Sequence, residues 1–273
     1  MGAASLGALA PRWRLLRSAS ADGATNMATD AALLACARRD RIATLRLYGW
    51  DAPTLSLGRH ERARGVIDPT ACAARGIGVV RRPTGGRALL HHREVTYSVT
   101  APATLSLAES YAAINALLLA GLARLGVAAA PAAPRGRPLR PEGAACFAEP
   151  AAGELIVGGR KLVGSAQLRE DGAMLQHGSI LLADDQPLIE ALRVQEAKAS
   201  APPPPDAPDR HIAAAATIEA AVGHPVPADA VSDAVAAALA DAVPVELFDP
   251  ALLRADLARL VIAFADPSWT WRR

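Results

Sequence analysis

Residues Glu154 to Leu182, ELIVGGRKLVGSAQLREDGAMLQHGSILL, decide the fold class. An apolar run from Leu155 to Val157 is broken by Gly158 and Gly159, a second extended run follows, and Glu170 to Gly172 form a polar turn before a third run ending at Leu182. Adjacent glycines adopt the positive φ that a two-residue hairpin loop requires, so the stretch predicts a meander of antiparallel strands. Lys161 falls at the head of the second strand, Gly164 and Ser165 follow it, and His177 falls in the third. On spacing alone a strand-edge lysine is a surface residue, and an isolated strand histidine is a satisfied structural one. A lysine so placed can equally hold a carbonyl or phosphate oxygen.

Working outward, Asn26 to Arg39 (NMATDAALLACARR) has helix formers at helical apolar spacing, and Thr44 to Tyr48 and Thr54 to Leu57 read as short strands. Asp68 caps a short helix with Pro69 in its first turn and Gly76 past its end. The β-branched run Ile77 to Val80 leads into RRPTGGRALLHH (Arg81 to His92), and Ala88 to Leu90 and Val95 to Val99 read as paired strands. Ser106 to Gly126 is the clearest helix, opened by a Ser106/Glu109 capping box. Ala128 to Gly143 is a proline-rich loop carrying Arg135, Arg137 and Arg140, Ala201 to Asp209 (APPPPDAPD) is a stiff connection, and Asp209 to Leu260 reads as two or three alanine-rich helices. The expected fold is α+β (mixed α/β), with a central mixed or antiparallel sheet flanked by helices. Its expected division is an extension over residues 1–24, a catalytic domain over 25–200, and a helical C-terminal part over 201–273 packed on that domain.

With 273 residues, 51% of them hydrophobic, the chain can bury a large core. The 29 basic and 27 acidic residues leave a formal charge of +2, which argues against nucleic acid or an anionic membrane as the main partner. No stretch approaches the roughly 20 apolar residues of a membrane span, and Met1 to Ser20 lacks the apolar core and cleavage site of a secretory leader. Cys36, Cys72 and Cys146 have no Cys-x-x-Cys spacing and join no metal-ligand pattern, so the expectation is a metal-free protein of a reducing compartment, the cytoplasm.

Gly85 and Gly86 would let a backbone approach a ligand closely and turn N–H donors toward a carbonyl, carboxyl or phosphate. A tight turn with solvated arginines explains the same residues. Cys36 and Cys72, inside expected helices, read as small buried hydrophobes. Cys146 sits in GAACFAEPAAGEL among glycine, proline and acidic residues and reads as an exposed thiol.

Taken in order, NMATDAALL (Asn26 to Leu34), TLSLGR (Thr54 to Arg59), RRPTGGRALLH (Arg81 to His91), EVTYSV (Glu94 to Val99), GRKLVGSAQ (Gly159 to Gln167) and LQHGSILL (Leu175 to Leu182) resemble the landmarks of the biotin/lipoate protein ligase family, with the terminal SWTWRR also in keeping. The resemblance implies that Arg82, Gly85, Gly86 and His91 line an acyl pocket, with Gly164, Ser165 and His177 beside it, and that Lys161 contacts the acyl carbonyl. Arg87 stands where many lipoate ligases have a third glycine, a departure at the nucleotide or phosphate contact. The Ala-Cys-Phe element looks like the cysteine loop of octanoyltransferases that modify the glycine-cleavage H protein. On that resemblance Cys146 accepts octanoyl from acyl carrier protein as a thioester and passes it to a lysine of H protein or another lipoyl domain, with no cofactor required. His91 and His177 are candidate bases by residue type. The alternative is an ATP- and Mg2+-dependent lipoate–protein ligase acting through lipoyl-adenylate. Arg81, Arg82, Arg135, Arg137 and Arg140 could steer acidic partners to the site, and a solvated basic loop reads the same way.

Overall fold

The computed structural model describes residues 5–133, 154–194 and 214–273. Among these, the larger sheet has eight strands in the order Val245–Leu247 (β11), Trp13–Arg17 (β1), Ala43–Tyr48 (β2), Glu94–Pro102 (β6), Ala173–Leu181 (β10), Arg160–Glu170 (β9), Leu155–Val157 (β8) and Ala130–Pro131 (β7). Strands β11, β1 and β2 run parallel, and the pairs from β2 onward are antiparallel, so the sheet is mixed as expected. The meander forms as predicted: Gly158 and Gly159 take φ of 56° and 77°, and Asp171 and Gly172 take 49° and 74°.

Both faces of this sheet are covered, and the period-two alternation of its central strands sorts chemistry between them. On β6, Val95, Tyr97, Val99 and Ala101 join the main apolar core with the helices Leu107–Arg124 (α4) and Ala228–Ala242 (α6). The alternate residues Glu94, Thr96, Ser98 and Thr100 are buried on the opposite face, where the helix Gly23–Asp40 (α2) packs. The sheet centre therefore has one apolar face and one polar face, both dry. Helix α2 starts where the Asp22 side chain accepts the Thr25 N–H at 2.7 Å and stops where Arg41 turns left-handed. Helix α4 carries the expected Ser106/Glu109 capping box.

Two expectations change. Leu89–His91 (β5) does not pair with β6; it lies antiparallel to Thr54–Leu57 (β3), which also pairs in parallel with Gly78–Arg81 (β4), making a separate three-stranded sheet. The two residues between β5 and β6 look like a hairpin loop but form a crossing. Asp185 holds His92 at 3.0 Å and Arg93 at 2.7 Å, and the Arg93 carbonyl accepts the Leu182 N–H, so the chain is passed from one sheet to the other. The segment expected as an extension supplies β1 to the larger sheet, and β11 from the helical C-terminal part lies beside it. Among the described residues no helix is long and apolar enough to cross a membrane.

Candidate functional site

The turn after β4 is held from inside. Arg82 is buried, and its guanidinium donates to the Gly85 carbonyl at 2.8 and 3.1 Å, the Arg87 carbonyl at 2.7 Å, and the backbone and hydroxyl oxygens of Ser56 at 3.0 and 3.1 Å. Arg81, fully buried, donates to the carbonyls of Gly58, Glu61 and Thr270. These two arginines are thus neither solvated nor free to steer a partner, which corrects those two sequence readings of them; their charge is spent on shaping backbone. Gly86 sits at φ 94°, and a Cβ on Gly58 would lie 1.9 Å from the Gly86 carbonyl oxygen. Among the described residues a Cβ on Gly85 would meet nothing within 4 Å, so they pack one side of the turn and not the other.

Beneath the turn, the polar face of the sheet forms two linked relays. Asp30, on the inner side of α2, accepts from Arg46 at 2.8 Å, Ser98 at 2.8 Å, Tyr48 at 3.1 Å and His177 Nδ1 at 3.0 Å. Burial pushes the Asp30 carboxyl up, but the Arg46 charge and the His177 bond outweigh it and hold it below its ordinary range. With Asp30 ionised, His177 must donate from Nδ1, which leaves Nε2 to accept the Thr84 hydroxyl at 2.6 Å. Burial depresses the His177 pKa and keeps the ring neutral. The second relay runs from Glu94 through His91, with Nδ1 at 2.8 Å, to the Ser56 hydroxyl on Nε2 at 2.8 Å. Ser56 also receives Arg82, so its own proton goes to His91. Glu94 further accepts from Thr96 and Ser179, and Trp50 stacks on His91 with ring centroids 3.9 Å apart. Arg82, Gly85, Gly86, His91 and His177 therefore form one connected unit.

Strand β9 brings the rest. Lys161, 2% exposed, places its ammonium 2.6 Å from the buried Glu154 carboxylate, and its carbonyl accepts the Ala216 N–H. Gly164 is opposite Ser179 and Ser165 opposite Gly178 in the β9–β10 register, so the lysine strand runs alongside the strand that carries His177. The Ser165 hydroxyl meets Tyr97 OH at 2.7 Å on the apolar-core side, where burial pushes the Tyr97 phenol up to about 12. A Cβ on Gly178 would come 2.3 Å from the Gly164 carbonyl oxygen, so these strands meet at van der Waals distance there.

Cys36 and Cys72 are both buried, and burial raises both thiols above the usual range. Cys146, Arg135, Arg137 and Arg140 lie outside the described residues. Among the described residues no cluster of three or more His, Cys, Asp or Glu side chains is placed to hold a metal ion. A cleft of about 290 Å³ lies between α2, Pro83 and Trp269; Lys161 does not line it.

Sequence reading did not single out Asp30, Arg46, Ser56, Thr84, Glu94, Trp50 or Glu154. A signal existed for some of them. Asn26 and Asp30 put two polar side chains one turn apart on the helix face that carries Leu33 and Leu34, and Glu94, Thr96 and Ser98 alternate with apolar residues along one strand.

A mixed sheet flanked by helices is the fold that the chain shares with solved lipoate–protein ligase structures. The chain superposes on a putative lipoate protein ligase from T. acidophilum with bound lipoic acid with a TM-score of 0.73, covering 97% of this chain and 99% of that one at 18% identity. It superposes on lipoate-protein ligase A bound with ATP with a TM-score of 0.75, covering 95% and 98% at 19% identity. At such identity the likeness is one of fold. The model of the lipoyl protein ligase A/B catalytic domain matches residues 22–240, and the chain belongs to that family. It is 41% identical to the Octanoyltransferase LipM of Kyrpidia tusciae over 96% of this chain and 99% of that protein. It is 43% identical to the Octanoyltransferase LipM of Symbiobacterium thermophilum over 86% and 88%.

Proposed function

We propose that this protein is a cytoplasmic octanoyltransferase of lipoate biosynthesis that carries the acyl group on Cys146. The chain is an acyltransferase whose donor is octanoyl-acyl carrier protein and whose acceptor is the lysine of a lipoyl-type domain such as the glycine-cleavage H protein. The Cys146 thiolate attacks the thioester carbonyl, the carrier thiol departs with the proton, and an octanoyl-Cys146 thioester forms. The unprotonated acceptor lysine attacks that carbonyl, the Cys146 sulfur leaves, the attacking nitrogen gives up one proton to the departing thiolate, and an amide results. The first step is nearly isoenergetic and the second runs downhill, so neither ATP nor a metal is required. Lys161 holds the carbonyl oxygen as negative charge develops on it.

The observation that carries the nucleophile is an exclusion. Of the three cysteines in the sequence, Cys36 and Cys72 are buried thiols held protonated, which leaves Cys146. The relatives named octanoyltransferase, matched nearly end to end, support the reaction. In a test with EDTA and no nucleotide, octanoyl should move from the carrier to a lipoyl domain, and Cys146→Ala should abolish the transfer. Transfer that needs ATP and free lipoate would establish the ligase instead.

A further inference from the structure

Beside the Gly85–Gly86 turn the described residues gather arginines that outnumber the carboxylates set among them. The loop over residues 58–66 carries Arg59, His60, Arg62 and Arg64, and residues 267–273 fold back against it. Trp269 Nε1 donates to the Arg81 carbonyl at 2.8 Å, Arg81 Nε donates to the Thr270 carbonyl at 2.9 Å, and the Ala63 and Arg64 N–H groups donate to the Arg273 backbone oxygen at 3.0 and 2.8 Å. The Arg272 guanidinium lies 3.9 Å over the Trp269 ring and donates to the Arg59 carbonyl. This latch sets Arg272 and Arg273 against Arg59 and His60.

The grouping is electrostatically unfavourable. Desolvation, then the charges of Arg273, Arg59, Arg272 and Arg81, hold His60 below its ordinary pKa, and Arg272 is lowered by burial and then by Arg59 and Arg273. Glu61 is the carboxylate of this loop, and its two oxygens are taken by the N–H groups of Gly58 and Ala88 at 2.9 and 2.8 Å. Among the described residues none of Arg59, Arg62, Arg64, Arg272 and Arg273 forms an ion pair. Protein surfaces ordinarily intersperse the two signs. A positive excess assembled by specific bonds, with none of these arginines in an ion pair, is shaped to meet a negative partner. It is also tied to the site, because the Arg59 N–H donates to the Thr84 carbonyl at 2.8 Å.

We propose that this basic face, formed by the loop over 58–66 and the segment Trp271 to Arg273, docks the acidic surface of the carrier protein that delivers the octanoyl thioester. The inference rests on the octanoyltransferase reading. The face borders the turn that lines the acyl pocket on that reading, joined to it by the bond from the Arg59 N–H to the Thr84 carbonyl. Arg62 and Arg273 are exposed and do not hold the turn, which makes them the positions to reverse.

The test compares the full chain with the double variant Arg62→Glu/Arg273→Glu, and with Arg254→Glu, an exposed arginine outside the face, as the control. Each is assayed with octanoyl-acyl carrier protein and with the uncharged octanoyl thioester of N-acetylcysteamine. The proposal expects kcat/KM for the carrier to fall on the order of 10- to 100-fold in the double variant at low salt, with the steep salt dependence of the wild type flattened. It expects transfer from the small thioester to be unchanged, and Arg254→Glu to behave as wild type. An equal loss with both donors, no loss with the carrier, or weakened binding of the acceptor domain alone would each overturn the docking proposal and leave the transferase reading standing. A wild type that accepts octanoyl from neither donor would overturn the transferase reading, and this proposal with it.

Discussion

Replacing Asp30 by asparagine keeps the shape of the side chain and removes its charge, so it isolates what that carboxylate does. Asp30 is fully buried and accepts four hydrogen bonds, one of them from the guanidinium of Arg46, itself 1% exposed. In Asp30→Asn the buried cation loses its counter-charge, and the new amide N–H2 faces two donors, Tyr48 OH and His177 Nδ1–H. Breaking a buried pair from one side costs about 3–5 kcal/mol. Arg46 keeps its bonds to Asn26 O at 3.0 Å, Asn26 Oδ1 at 2.8 Å and Ser18 Oγ at 3.1 Å, and its position 3.7 Å over the Tyr48 ring, so the lower end applies. The expected loss is about 3 kcal/mol, or roughly 6–12 °C in Tm for a chain of this size. Urea unfolding followed by circular dichroism measures it, provided the m value is unchanged. Arg46→Met in the Asp30→Asn background should recover part of the loss, because no lone buried charge remains. A loss under about 1 kcal/mol, or strict additivity of the two changes, would refute the reasoning.

Gly58→Ala should impair function more than stability. Its Cβ, 1.9 Å from the Gly86 carbonyl oxygen, must displace the turn, and activity should fall by at least about tenfold while unfolding shifts by about 1–3 kcal/mol. Lys161→Met should lower kcat by about 100- to 1,000-fold, the usual loss of one oxyanion donor, while carrier affinity measured by titration changes little. Stability should rise with pH through the acid range for two reasons of the same sign. Asp30 has a lowered folded pKa, so its contribution is present above the ordinary carboxylate pKa and lost as pH falls through the folded value. His177 also has a lowered folded pKa, so below about pH 6.5 the unfolded chain takes up the proton that the native ring refuses. Stability measured from about pH 2 to 7 should therefore climb, the Asp30 part below about pH 4 and the His177 part below about pH 6.5, and His177→Gln should flatten the His177 part.

Much of the fold was legible because it is written in local chemistry. The hairpin glycines at 158, 159 and 172 and the Ser106/Glu109 box act within a few residues, and both formed as read. The pairing of β5 was not legible, because the bonds that divert the chain at His92 and Arg93 come from Asp185, about ninety residues away. Strands β1 and β11 escaped for a similar reason: each is short and forms on a partner distant in sequence, β1 on β2 and, at the sheet edge, β11 on β1. At the site, Gly85, Gly86 and Lys161 stood out by residue type. Asp30, Ser56 and Thr84 did not, since ordinary helix-interior or strand residues become relay members through contacts that span 93 and 147 positions for His177 and 35 for His91. The solvated and partner-steering readings of Arg81 and Arg82 failed, because a sequence shows a charge and not the carbonyls that surround it.

The central claim is that octanoyl rests on Cys146 between donor and acceptor. The most direct measurement is the intact mass of the purified protein after incubation with octanoyl-acyl carrier protein without ATP. The account predicts a single octanoyl adduct that hydroxylamine removes and that is absent, or ester-linked and stable, in Cys146→Ser. No adduct on the wild type, together with ATP–pyrophosphate exchange driven by lipoate, would contradict it.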